Sequence, residues 1–444
     1  MEKHFFASYK SGAFAIDISN FKFNSEFVDK SDIPAFVHEY CHYIQDMTTI
    51  SSIFGFSLWM RDIAALTSIF SNGENKTIDI PLARDAFGET INKFRKYFNL
   101  YCGDPDDLQN FDLTKLKLKK IEPVLKEISL EDQKRKLMVN KIKVENPQRE
   151  IHFGLIALQE IHAYYAQQLS ELRLNDVNFN VNTSELPSYP YKFGDFLFDS
   201  YKIKIDIISK YVLVELCLDT VQAPSVFLEV IQSLKGKTIS FTKDWNNKII
   251  ETVENCSSSI SWSKKDALDQ ILPDLKEWSN DPNRKYLSQA LKWYIDKIEL
   301  ALTMKKISQT IFTSGFYGDW NALAALLKIL PPPIYLDKGV MKKNYARFPD
   351  ENMEDEFEKS FEAASTIWSH RILYELLVSE STDEVNKKCK CPLYESCTIK
   401  EDIGEQYTCA TAPWEIIKNE KKTICPYGMA SHSFGLWQNT LNIV

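Results

Sequence analysis

Apolar residues recur along most of this chain at helical spacing and alternate only in short stretches. Ile33, Phe36, Val37, Tyr40, Cys41, Ile44 and Met47 fall at i, i+3, i+4 and i+7, which makes one buried stripe and predicts an amphipathic helix. Ser31 or Asp32 can cap its start, and Pro34 is tolerated in a first turn. An apolar helix near Ser52 to Phe70 follows, up to a turn at Asn72-Gly73. Another is predicted from about Pro81 to Tyr101, ending before Gly103-Asp104-Pro105. Leu155, Leu158, Ile161, Tyr165 and Leu169 mark a further helix, in which Ala157, Ala163 and Ala166 allow a neighbour to approach closely. Downstream, one or two buried helices span Asp195 to Lys235, with a break at Pro224. Two more span Lys264 to Gly315, split at Asn280-Asp281-Pro282, and one runs from Asp350 to Ser379.

Alternation is confined to two regions. Phe14, Ile16 and Ile18, then Phe21 and Phe23, predict N-terminal strands. The lysine-rich stretch from Leu113 to Val144, with Lys115-Leu116-Lys117-Leu118 and Lys141-Ile142-Lys143-Val144, reads as a solvated hairpin or helix face. Its other reading is an edge strand beside a cleft, able to pair with an extended substrate. Asn182 to Asp195, rich in Ser, Pro and Tyr, reads as a linker, and Gly315 to Trp320 as an aromatic turn packed on the core. The pattern is that of an α+β chain, predominantly α-helical, with a small N-terminal sheet. It divides into a first unit at 1–180 (with an insertion at about 72–150), a helical region at 181–380 and a cysteine-rich tail at 381–444.

Composition narrows the class. Of 444 residues, 44% are hydrophobic and 13% aromatic, enough for a large core and against disorder. A net charge of −8 argues against a general nucleic-acid-binding role. No basic segment precedes an apolar run, and no apolar stretch is long enough to span a bilayer. The nearest candidate, Ala322 to Leu336, is broken by Lys328 and Pro331-Pro332-Pro333. A cytoplasmic protein with no membrane partner is expected.

The chemistry concentrates at His38-Glu39-Tyr40-Cys41-His42. Two imidazoles four residues apart project from one helix face, one turn apart, and can bind a single Zn²⁺. The glutamate between them is not a ligand but can take a proton from a water the metal polarises. A third protein ligand is required. Glu160, on the later alanine-bearing helix, is the best candidate; His162 and His152 compete with it.

At these residues the chain resembles the zincin metallopeptidases, specifically the branch with a glutamate ligand on a later helix. Glu160, Ala163 and Ala166 also match the E-x-x-A-x-x-A spacing of the intracellular regulator-cleaving ImmA/IrrE-like group. The resemblance covers two short segments. It implies a zincin-like core, a catalytic zinc held by His38, His42 and Glu160, and Glu39 as general base. Some of these families carry an aspartate one turn after the glutamate ligand to orient a histidine; here that position is Tyr164, and Asp46 is the substitute considered. The oxyanion donor is left open among Tyr164, Tyr165, His370 and His432.

Nine cysteines are unevenly placed. Cys41, Cys102, Cys217 and Cys256 are scattered, and read as buried thiols. Cys389, Cys391, Cys397, Cys409 and Cys425 crowd the tail, with His432 nearby. Four of these can close a structural zinc; an iron–sulfur cluster is the alternative, because Cys₄ ligation serves both.

The functional expectation is a zinc peptidase acting on a protein or peptide, restrained in the cell by a regulatory partner or a latent state. One alternative is a catalytically silent scaffold working through its helical and cysteine-rich regions. Another is a redox-sensing or nucleic-acid-binding role for the tail, the latter disfavoured by the acidic balance.

Overall fold

The computed structural model describes residues 7–11, 14–18, 33–71, 76–82, 96–103, 113–130, 133–145, 148–174, 189–260, 264–317, 320–337, 340–343, 354–379, 381–391, 394, 406–415, 425–436 and 439–443. The chain is α+β and mostly helical. One apolar core runs through all three stretches distinguished above, from Phe14 to Leu441. No helix among the described residues is long and apolar enough to cross a membrane.

At the centre lies α1 (Ile33–Thr48), almost wholly buried, with Pro34 in its first turn as the sequence predicts. It passes into α2 (Ile50–Ser71) through Thr49, whose hydroxyl donates to the Gln45 carbonyl at 2.9 Å. The end of a helix leaves carbonyls without intrahelical partners. Here the Tyr294 hydroxyl donates to the Asp46 carbonyl (2.9 Å) and the Lys305 ammonium to the Thr48 carbonyl (2.8 Å). A cation at this end also suits the helix dipole. Tyr40 and Tyr43 donate to the carbonyls of Leu330 and Pro331, so the same helix anchors the proline-rich segment.

Against this helix lies a four-stranded sheet of order β1-β2-β9-β10, built from β1 (Ala7–Lys10), β2 (Ala15–Ile18), β9 (Ile334–Asp337) and β10 (Val340–Lys343). Strand β2 agrees with the alternation, but its antiparallel neighbour β1 lies upstream of it, and its parallel partner β9 comes from far downstream. Phe21 and Phe23 lie outside the described residues, as do Ser31, Asp32 and Asn72-Gly73.

The lysine-rich stretch forms a long hairpin of β4 (Lys117–Leu130) and β5 (Gln133–Glu145), joined by β6 (Arg149–Phe153). Its β6 strand runs into α4 (Leu155–Leu174), which packs on α1. Gly154 makes that junction: a Cβ there would sit 2.4 Å from the Cys102 carbonyl carbon. The Pro81–Tyr101 expectation is met only in part. Just before it lies β3 (Thr77–Ile80), paired in parallel with β11 (Thr440–Ile443); Pro81 and Leu82 are not helical, and the helix α3 appears at 96–102.

The helical region holds α5 (Phe193–Ser200), α6 (Ile207–Leu218) and α7 (Ala223–Ser233), one more helix than the pattern predicts, with the short strands β7 (Lys204–Ile205) and β8 (Thr238–Ile239) paired in parallel. The helix breaks between α6 and α7 as expected, and Pro224 stands in the first turn of α7, where its missing N–H costs nothing. The helices α8 (Lys243–Ile260), α9 (Lys264–Trp278), α10 (Lys285–Ile307), α11 (Ile311–Tyr317), α12 (Trp320–Ile329), α13 (Glu354–Leu377) and α14 (Thr382–Lys388) follow. Gly315 and Phe316 belong to α11, not to a turn; helical placement lets Phe316 pack on Tyr40 and Tyr211.

Candidate metal centre

The site forms where α1 crosses α4. His38 and His42 project from one face of α1, and Glu160 faces them from α4. His38 Nε2 lies 3.2 Å from His42 Nε2 and 3.2 Å from Glu160 Oε2, and His42 Nε2 lies 3.3 Å from the same oxygen. Among the described residues this is the one group of three His, Cys, Asp or Glu side chains whose ligand atoms converge within 4.8 Å. The triangle can be tested against a metal. Ligands about 2.0–2.1 Å from a tetrahedral zinc stand about 3.3–3.4 Å apart. The observed sides of 3.2–3.3 Å match, so the donor set fits such an ion with a fourth position open.

Electrostatics follow from this crowding. Burial alone would lower the His42 pKa, but the Glu160 carboxylate raises it to about 9. Burial works against the Glu160 charge, yet His42 and His38 hold it well below the usual carboxylate range. Glu39 is 8% exposed. Its pKa is raised by burial, against the pull of the two histidines, and its carboxylate accepts the Tyr9 amide N–H from β1.

A supporting residue comes from α1 itself. Gln45 Nε2 donates to the Gln159 carbonyl on α4 at 3.0 Å, an oxygen that can only accept. The amide is thereby turned so that Oε1 meets His42 Nδ1 at 3.0 Å. Nδ1 must then carry the proton, which leaves the Nε2 lone pair for a metal. The same Gln45 nitrogen reaches His162 Nδ1 at 2.9 Å. Gln45→Ala is expected to weaken metal binding about 10–100-fold, the usual cost of losing such a support. Competition titration against a chromophoric chelator measures this; unchanged affinity would assign the orientation of His42 to something else.

The competing candidates lie elsewhere. His162 is buried behind the site, stacked on Tyr211 at 4.2 Å between ring centroids. His152 is on β6 beside Glu150. Asp46 accepts from the Tyr9 and Ser11 hydroxyls and so ties β1 to α1. Tyr164 accepts from Gln168, and Tyr165 donates to Asp195. His370 bonds the Thr366 carbonyl, and the His432 ring meets Tyr286. Of these four, Tyr164 lies nearest in the fold, one turn after Glu160 on α4 with its ring centre 6.3 Å from that of Tyr191.

Tyr191 takes the position that sequence reasoning missed. Its ring centre lies 5.4 Å from that of His38, and its hydroxyl hydrogen-bonds Glu160. Burial, then the Glu160 and Glu39 charges, keep that phenol protonated. It lies in the segment read as a linker, just before α5, where a turn following Pro190 aims it back at α1.

Among the tail cysteines, Cys389, Cys391, Cys409 and Cys425 are buried, and Cys397 lies outside the described residues. No family model, curated protein or solved structure matches the chain.

Proposed function

We propose that the chain is a metal-dependent hydrolase with a zincin-like core, a zinc peptidase acting on protein or peptide substrates. The observation that carries this reading is the His38–His42–Glu160 triangle of zinc-ligand dimensions with Glu39 beside it. A zinc ion, when bound, supplies Lewis-acid polarisation of water and of the scissile carbonyl. The remaining work falls to the chain. Glu39 Oε accepts the proton of the attacking water and returns it to the leaving nitrogen. The Tyr9 N–H holds that carboxylate in place. Tyr191 is positioned to turn its hydroxyl from Glu160 to the developing oxyanion. Strand β1 forms one outer edge of its sheet among the described residues, and Tyr9 of that strand stacks on His42 with ring centres 6.0 Å apart. Such an edge can take an extended peptide as an added strand, so the substrate-pairing role is better given to β1 than to the lysine-rich hairpin.

The test is incubation of zinc-loaded protein with a peptide library read by mass spectrometry. Cleavage that chelator abolishes and zinc restores is expected; none, with zinc occupancy confirmed, would overturn the reading. In the same assay Tyr191→Phe should lower kcat about 10²-fold with zinc retained and KM little changed. An unaltered kcat would remove Tyr191 from the chemistry.

A further inference from the structure

The tail gathers a second set of soft ligands that the histidine–glutamate site does not use. Cys389 closes α14, Cys391 follows it, Cys409 lies in the helix Gln406–Thr411, and Cys425 caps the helix Pro426–Ser433. All four carry thiols and are at most 9% exposed. Their elements are laced together at the backbone. The Cys391 N–H donates to the Cys409 carbonyl at 2.9 Å, and the Gly428 N–H points onto Cys425 Sγ at 3.3 Å. A helix start with an amide N–H facing the sulfur suits a metal-bound thiolate.

A fifth group points to a ligand. Tyr427 is fully buried, and its hydroxyl has no hydrogen-bond partner among the described residues. Cys391, Cys389 and Cys425 are its electrostatic neighbours, so three of the four sulfurs border this one hydroxyl. Buried hydroxyls are normally satisfied; one left over among cysteines marks a place where another group belongs.

We propose that Cys389, Cys391, Cys409 and Cys425 hold a thiolate-ligated metal centre that joins the tail segments to one another and to the helical body. Four thiolates suit either zinc or an iron–sulfur cluster. No three of these sulfur atoms lie within 4.8 Å of one another, so a single tetrahedral zinc, whose sulfurs stand about 3.8 Å apart, requires them to draw closer.

The test starts from full-length protein carrying His38→Ala and His42→Ala, which removes the other site and makes the result independent of the peptidase reading. It is purified anaerobically without chelator and analysed for iron, acid-labile sulfide and zinc. Iron with sulfide and a brown colour identifies the centre as a cluster, and zinc alone identifies it as a single ion; either supports the proposal. Adding Cys389→Ser and Cys425→Ser should remove that metal and lower the Tm by several degrees. Should that variant fail to fold, the histidine variant is stripped and loaded with cobalt(II), where sulfur-to-cobalt charge-transfer absorption supports the centre. No metal as purified, none after reconstitution with zinc or with iron and sulfide, and no such absorption would overturn it.

Discussion

Glu39→Gln is expected to abolish hydrolysis while leaving fold and metal in place. The amide is nearly the same shape and keeps an oxygen to accept the Tyr9 N–H, so the neighbourhood need not move. What is lost is the ability to take a proton, a contribution of about 10²–10⁴ in rate. Stability should hold or rise. Burial disfavours the Glu39 charge, and a neutral amide escapes that penalty. The measurements are kcat, zinc content and Tm on one preparation. Undiminished kcat would refute the base; loss of zinc would mean that Glu39 helps to hold the ion.

Glu160→Ala should empty the metal site, a larger effect than Gln45→Ala because a ligand goes rather than its support. It also has a consequence in metal-free protein. His42 is held at about 9, against an ordinary 6.5, mainly by Glu160 overcoming the penalty of burial. A histidine with a raised pKa stabilises the fold fully below the ordinary value, and that stability is lost as pH rises through the folded value. Chelated wild type should therefore lose about 3 kcal/mol between pH 6.5 and 9 that Glu160→Ala does not lose. The depressed Glu160 pKa is the same attraction seen from its partner and adds nothing further. Urea unfolding of both proteins at pH 6 and pH 9.5 checks this. Parallel pH profiles would show that the pair contributes no such stability.

His38, Glu39 and His42 are legible in the sequence because their relation is local: a helix fixes where residues four apart point. Glu160 is legible only through resemblance, since nothing within α4 reveals that α1 lies across it. Gln45 stands in plain sight on the flank of the motif helix. Its role depends on the Gln159 carbonyl 114 residues later, which no periodicity encodes. Tyr191 hides for a different reason. Turn-forming composition around it reads as a connector, and connectors reveal nothing of where their side chains aim. The fold divides the same way. The periodic helices are anticipated, whereas the parallel pairings of β2 with β9 and of β3 with β11 join distant segments and leave no local mark.

The pairing of β2 with β9 bears on how the molecule is made. The motif helix is synthesised early, yet its tyrosines hold carbonyls at Leu330 and Pro331, its last turn is closed by Tyr294 and Lys305, and the strand pair beside it waits for Ile334–Asp337. A ribosome that has released both histidines and Glu160 has delivered the ligands without the walls that hold them. The histidine–glutamate triangle gains these walls only after Asp337 has emerged, so the nascent chain holds the ligands before it holds them in place.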